Sequence, residues 1–161
     1  MLKISRLADY AGVVAVNLAS SNTSSRSAAD ISSQTHIAYP TVSKVLKLLN
    51  EAGLVTSQRG AMGGYALSSP ANAITLADIT NAIDGDLNIT ACSLGDSSCH
   101  HQAACSLKNN WRVINKAIHL LMRSVTLQHM CEHVDLISLG NNFMAALGQQ
   151  QVTKEVVHEY E

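Results

Sequence analysis

Charge is scarce in this 161-residue chain at 14%, and aromatic residues make up only 4%, while apolar residues reach 47%. So few charges exclude a chain held unfolded by self-repulsion, and that apolar share can build a core. Long hydrophobic runs are missing too. None approaches the roughly 20 residues that cross a bilayer, and the opening MLKISRLADYAG lacks the apolar centre of a secretion signal. The expectation is a soluble, cytoplasmic protein with no membrane partner. At this length folding buries roughly 70% of the extended surface, so disulfide staples are unnecessary. Catalytic patterns are absent as well: no Gly-Lys-Ser/Thr follows the glycines near residue 60, and no spacing suggests a nucleophile–base pair or paired carboxylates. Neither an enzyme nor a small-molecule substrate is expected.

The formal net charge of −1 conceals an asymmetry. Residues 1–70 hold six Lys/Arg against three acids, a net +3, whereas residues 71–161 hold five against nine, a net −4. A basic first half and an acidic second half suggest that only the first meets a polyanion.

That first half reads as helical. Residues 5–19 place Leu7, Tyr10, Ala11, Val14 and Leu18 at helical spacing behind Ser5, a good N-cap. SSNTSSRS (20–27) is loop-like, and residues 27–35 form a short helix capped by Ser27 with Asp30 three residues on. After the connection His36-Ile37-Ala38-Tyr39, Pro40 opens a helix running to about residue 52. Val42, Val45, Leu46 and Leu49 line its inner face, and Gly53 ends it. Its other face shows Thr41, Ser43, Lys44 and Lys47, short polar and basic side chains suited to a DNA groove. Two helices with a tight turn, the second polar and basic, make a helix-turn-helix, though a plain helical hairpin has the same pattern.

The following segment favours the first reading. LVTSQRGAMGGYALS (54–68) has two short runs around a glycine-rich tip, with Leu54/Thr56 and Tyr65/Leu67 alternating as strands do and Arg59-Gly60 at the tip. A hairpin directly after such a helix is a wing, whose Arg can reach phosphates or a narrow minor groove. Residues 74–84 form another short helix, 85–107 a loop, and 108–125 a longer helix. Trp111, Ile114, Ile118, Leu121 and Val125 make a stripe along that helix, suited to a helix-to-helix dimer. Residues 126–137 continue helically, and 140–161 read as a weakly ordered tail. The expected fold is mostly α. It comprises a winged helix-turn-helix domain (1–72), a connecting helix and cysteine loop (73–107), dimerisation helices (108–139) and the tail.

Four cysteines without a secretion signal point away from structural disulfides. Cys92-x6-Cys99-x5-Cys105 puts three thiols on one loop. Zinc knuckles use C-x2-4-C pairs and four ligands. The pairs are absent, although His100 or His101 can complete a zinc shell. Iron–sulfur clusters accept wider spacings and non-Cys fourth ligands, and a thiol switch is a third reading. Spacing alone does not separate cluster from zinc.

MLKISRLADYA (1–11), PTVSKVLKLLNEAGLVTSQRGAMGGYALS (40–68), ITLADITNAIDG (74–85), the three-cysteine loop, NWRVINKAI (110–118) and VTLQHM (125–130) together resemble the winged-helix iron–sulfur regulators of the IscR and NsrR family. Within it the chain looks most like the regulators of SUF iron–sulfur assembly genes. The resemblance implies a homodimer that binds double-stranded operator DNA, with one cluster per protomer, 2Fe-2S or 4Fe-4S, held by Cys92, Cys99 and Cys105. It makes the protein a cluster-responsive repressor of SUF genes, or a nitric oxide or redox sensor on the same scaffold. A zinc-stabilised DNA-binding or adaptor protein without sensing is the other alternative. Asp9 matches an acidic position that in some members supplies the fourth ligand from the partner subunit. Two departures stand out. Six residues rather than five separate the first two cysteines compared with IscR, and Lys108, with no lone pair to offer when protonated, replaces a ligand His. The fourth ligand is therefore Asp9, His100 or His101. Pro40, Thr41, Ser43, Lys44, Lys47, Arg59 and Gly60 are the expected DNA-facing residues. Cys131 fits no ligand position and is expected to be a small buried residue.

Overall fold

The computed structural model describes residues 4–21, 25–58, 63–90, 105–132 and 134–158, the last stretch by its backbone alone from 149 onward. Helix α1 (Arg6–Ala19) starts where Ser5 accepts the Ala8 amide, and α2 (Ala28–Thr35) where Ser27 accepts that of Asp30. Both caps satisfy first-turn N–H groups that have no partner within the helix. Helix α3 (Tyr39–Glu51) follows a turn in which His36 adopts φ 57, the left-handed region. Gly53, at φ 74, ends the segment as expected.

Strands β1 (Val55–Gln58) and β2 (Gly64–Leu67) pair antiparallel, with Val55 opposite Leu67 and Gln58 opposite Gly64. The expected alternation is shifted by one residue at its start: Val55 is the buried member and Thr56 lies in solvent. A further bridge ties the wing to the α1–α2 connection. Arg26 donates its amide to the Tyr65 carbonyl (2.9 Å), and Tyr65 donates back to Arg26 (2.8 Å). Gly64 permits this approach, since a Cβ there would lie 2.6 Å from the Arg26 carbonyl oxygen.

Helix α4 (Leu76–Asp84) begins with a capping box in which Thr75 and Asp78 exchange hydrogen bonds. Helix α5 (Lys108–Ser124) then leads into a short return segment. There the Leu76 amide meets the Val125 carbonyl (2.8 Å) and the Leu127 amide meets the Ile74 carbonyl (2.7 Å). The return places Leu127, at the head of α6 (Leu127–Glu132), in the same core as the first helices. One apolar cluster joins Ala11, Val14, Ala15 and Leu18 of α1 to Ile31 of α2 and to Val42, Val45, Leu46 and Leu49 of α3. Ile37, Val55, Ile74, Ile79 and Leu127 complete it.

Two expectations for the C-terminal part are corrected. Residues 126–137 are not one helix: α6 ends at Glu132 and α7 (Leu136–His158) begins anew, capped by Asp135. The segment from 140 onward, read as a weakly ordered tail, has helical backbone through His158. Asn and Gln runs and two glycines hid this helix, because its apolar residues do not recur on one face. Among the described residues no helix is long and apolar enough to cross a membrane.

Candidate DNA-binding surface and cysteine site

Helix α3 turns Val42, Val45, Leu46 and Leu49 into the core, so the intervening positions must face outward. Pro40, Lys44 and Lys47 are exposed, while Thr41 and Ser43 are half-buried along the same rim. The first turn of α3 carries no acid and no side-chain cap, so nothing masks the positive end of its dipole. Lys47 makes one loose ion pair, 3.8 Å to Glu51 one turn on, with both side chains largely in solvent. Such a pair contributes little and releases the ammonium readily. The turn before α3 is fixed by local hydroxyls: Thr35 donates to the Ile31 carbonyl and Ser32 to that of Ile37, each at 2.7 Å. Arg59 and Gly60, expected at the wing tip, lie outside the described residues.

Nothing in the sequence beyond its charge singles out Arg26. Its guanidinium donates to Ser21 Oγ and to Asn17 Oδ1, both at 2.9 Å, and also to Gln34 Oε1. It thereby ties α1, α2 and the wing root together.

The cysteine loop is anchored at both ends by α5. On the incoming side, the buried Asn115 accepts the Ile89 amide (3.1 Å) and reaches the Asn88 side chain (3.5 Å). One turn further along, His119 meets the Leu87 carbonyl through Nε2, which must therefore carry the proton. On the outgoing side, the Cys105 carbonyl accepts the Lys108 amide at 3.3 Å where α5 begins. Lys108 and Asn115 are seven residues apart, so the two anchors stand about 10 Å apart along the helix. Asn115 and His119 were missed in the sequence, where the apolar stripe dominated the reading of α5.

Cys105 is a free, half-buried thiol. Cys92, Cys99, His100 and His101 lie outside the described residues, and among the described residues no three His, Cys, Asp or Glu side chains converge. Asp9 is exposed on the first turn of α1. It borders an open groove of about 660 Å³ whose walls include Ile4, Val13, Val16, Leu76 and Met130. Cys131 corrects its expectation: it is exposed on the outer side of α6, with the Ser20 hydroxyl 3.9 Å from its sulfur. The α5 stripe is only partly covered within the chain. Val125 is buried, whereas Ile114 is 44% and Leu121 36% exposed.

With this geometry in view, the chain compares with known regulators. It is 38% identical over 102 residues to an HTH-type transcriptional regulator of Neisseria meningitidis, covering 63% of this chain and 68% of the relative. Among solved structures it resembles CymR, the global cysteine regulator of B. subtilis, with a TM-score of 0.67 and 29% identity over 84% of this chain and all of that one. It also resembles T. potens IscR, with a TM-score of 0.63 and 26% identity over 83% of this chain and 89% of that one. These proteins are transcriptional regulators, not enzymes. The family profile described as an iron-dependent transcriptional regulator, Rrf2, matches residues 4–133, and the chain accordingly belongs to the Rrf2 family of winged-helix transcriptional regulators.

Proposed function

We propose that this chain is a homodimeric, cluster-responsive regulator that represses SUF iron–sulfur assembly genes. The observation that carries the reading is the double anchoring of the cysteine loop on α5, the helix whose exposed stripe suits a second copy. The donor set fits an iron–sulfur cluster. Cys92, Cys99 and Cys105 are soft thiolate donors, and Cys105 is a free thiol fixed at the start of α5. Asp9, His100 or His101 completes the set. When bound, a 2Fe-2S or 4Fe-4S cluster supplies a group whose presence depends on iron, sulfide and oxidants.

The chain's own residues do the rest. Asn115 and His119 hold the incoming strand of the loop, and α5 pairs with its counterpart to set the distance between the two α3 helices. That distance must match half-sites about one turn of DNA apart. Thr41, Ser43 and Lys44 face bases or adjacent phosphates from the major groove, and Pro40 brings the first turn of α3 close to the backbone. Lys47, Arg59 and Gly60 add contacts to the phosphates.

Protein purified without oxygen provides the test, through visible absorption together with iron, sulfide and zinc per chain. Coloured protein with matched iron and sulfide is expected, and Cys99→Ala removes the colour while leaving a folded dimer. Colourless protein loaded with zinc and lacking sulfide, even after attempted reconstitution, sinks the sensing reading and leaves a zinc-stabilised DNA-binding protein.

A further inference from the structure

The last turn of α4 makes a contact that neither DNA recognition nor thiolate ligation requires. Asp84, its final residue, accepts two hydrogen bonds from Ser5: the backbone N–H on Oδ2 at 3.1 Å and the hydroxyl on Oδ1 at 2.6 Å. Ser5 is also the N-cap of α1, its Oγ accepting the Ala8 amide at 3.1 Å. One hydroxyl therefore donates to Asp84 while accepting from the first turn of α1. The carboxylate stands at the positive end of that helix, where a negative charge is favoured, and both of its bonds are charge-assisted.

Chain order gives the contact its interest. Past Asp84 comes Gly85, with φ 75 and ψ −172, a backbone shape open to glycine and few others. Leu87, Asn88 and Ile89 follow, each held by His119 or Asn115 of α5, and Cys92 lies three residues beyond. In the other direction, the Asp9 amide is bound to the Ser5 carbonyl at 3.0 Å. Helix α1 then packs Ala11, Val14, Ala15 and Leu18 into the core it shares with α3. Asp84 thus makes a direct polar contact between the segment that enters the cysteine loop and the helix that packs behind α3.

We propose that the Asp84–Ser5 clamp is a positioning contact that couples the state of the cysteine loop to the placement of α1, and through α1 to α3. The inference rests on the cluster-responsive reading above. A change in the loop is passed through residues 87–89 and Gly85 to the end of α4. There the clamp either keeps the first turn of α1 capped from outside or releases it, changing how α1 seats against α3. A contact that only stabilises the fold would instead act equally on the loaded and unloaded forms.

The experiment uses full-length protein handled without oxygen, in cluster-loaded and chelator-stripped forms. Its probe is a DNA duplex selected from a random library by the unsubstituted protein. The readout is the ratio of the two dissociation constants, alongside iron and sulfide per chain and the exchange rate of the Ala8 amide. A coupling of ordinary size makes the ratio about 5- to 150-fold in the unsubstituted protein. In Asp84→Ala and Ser5→Ala it is expected to fall to within about threefold of unity with iron and sulfide content unchanged. Ser5→Thr, which keeps both donors, is expected to retain it. Loading should alter exchange of the Ala8 amide, which Ser5 Oγ accepts, only where the clamp is intact. A ratio that survives both alanine substitutions overturns the clamp, as does an equal loss of affinity in both forms. Where Asp84→Ala fails to fold, Asp84→Asn removes the charge and one acceptor at nearly constant shape and is judged by the same ratio. A ratio of unity in the unsubstituted protein overturns the cluster-responsive reading itself, and the clamp with it.

Discussion

Gly64→Ala tests the attachment of the wing. An added Cβ would lie 2.6 Å from the Arg26 carbonyl oxygen, 2.7 Å from its carbonyl carbon and 3.1 Å from its amide nitrogen. All three are backbone atoms, so no side chain can swing aside, and the bridge between Arg26 and Tyr65 must open. Two backbone hydrogen bonds, at 2.9 and 2.8 Å, are then lost or stretched. At about 0.5–1.5 kcal/mol net each, the loss is about 1–3 kcal/mol. For a chain of this size that lowers Tm by roughly 2–12 °C. Urea unfolding at constant slope measures the loss, and titration of duplex DNA reports whether the displaced wing also weakens binding. Gly12→Ala is the matched control. Nothing lies within 4 Å of a Cβ at that position in the middle of α1, so alanine is expected to stabilise the protein by about 0.5–1 kcal/mol. A Gly64→Ala protein as stable as the parent, with unchanged DNA affinity, would refute the close-approach argument.

Lys47→Ala is expected to weaken binding to all duplex sequences alike and to flatten the dependence of log K on log salt by roughly one unit; an unchanged slope removes Lys47 from the interface. His36→Gly relieves a side-chain-bearing residue held at φ 57 and should raise stability by about 1 kcal/mol in urea unfolding. A loss of stability would mean that the imidazole itself holds the turn. Asp135, the cap of α7, has its carboxyl held below the usual value of 3.8, chiefly by the Ser138 hydroxyl and then by the Ser138 amide, with a smaller contribution from that of Ile137. A carboxylate stabilised in the folded form contributes above its unfolded pKa, and the contribution fades as pH falls through its folded one. Acidification below the usual value should therefore loosen residues 136–139, read from their carbon chemical shifts, and Asp135→Asn should blunt that change.

Much of the winged helix was legible because local chemistry and tertiary packing agree there. Ser5, Ser27, Pro40 and Gly53 mark the ends of α1 to α3, and Val42, Val45, Leu46 and Leu49 are buried where the helical period puts them. What escaped was set by distant partners. Arg26 reads as one more positive charge until Asn17, Ser21 and Gln34 gather around it. Asn115 and His119 sit beside an apolar stripe, and only the return of residues 87–89 gives them acceptors and donors. Cys131 was misjudged because cysteine is usually buried, whereas α6 turns it outward. The break before α7 was hidden because Val134-Asp135 interrupts a sequence whose helical character resumes at once.

Because the cysteine loop leaves and rejoins the protein against one and the same helix, its length can vary without displacing the two points at which it joins the fold. Residues 87–89 and 105 join Asn115, His119 and Lys108 of α5, so that helix, and not the number of residues in the loop, sets the span between the loop's two ends. Even doubling such a loop adds only about 0.6 kcal/mol of closure entropy. The extra residue between Cys92 and Cys99 is an insertion of this tolerated kind. Loops of other lengths can therefore be exchanged at this position, by evolution or by an engineer. Such exchange leaves both attachment points on α5, and the Asp84–Ser5 contact that precedes the first of them, in place.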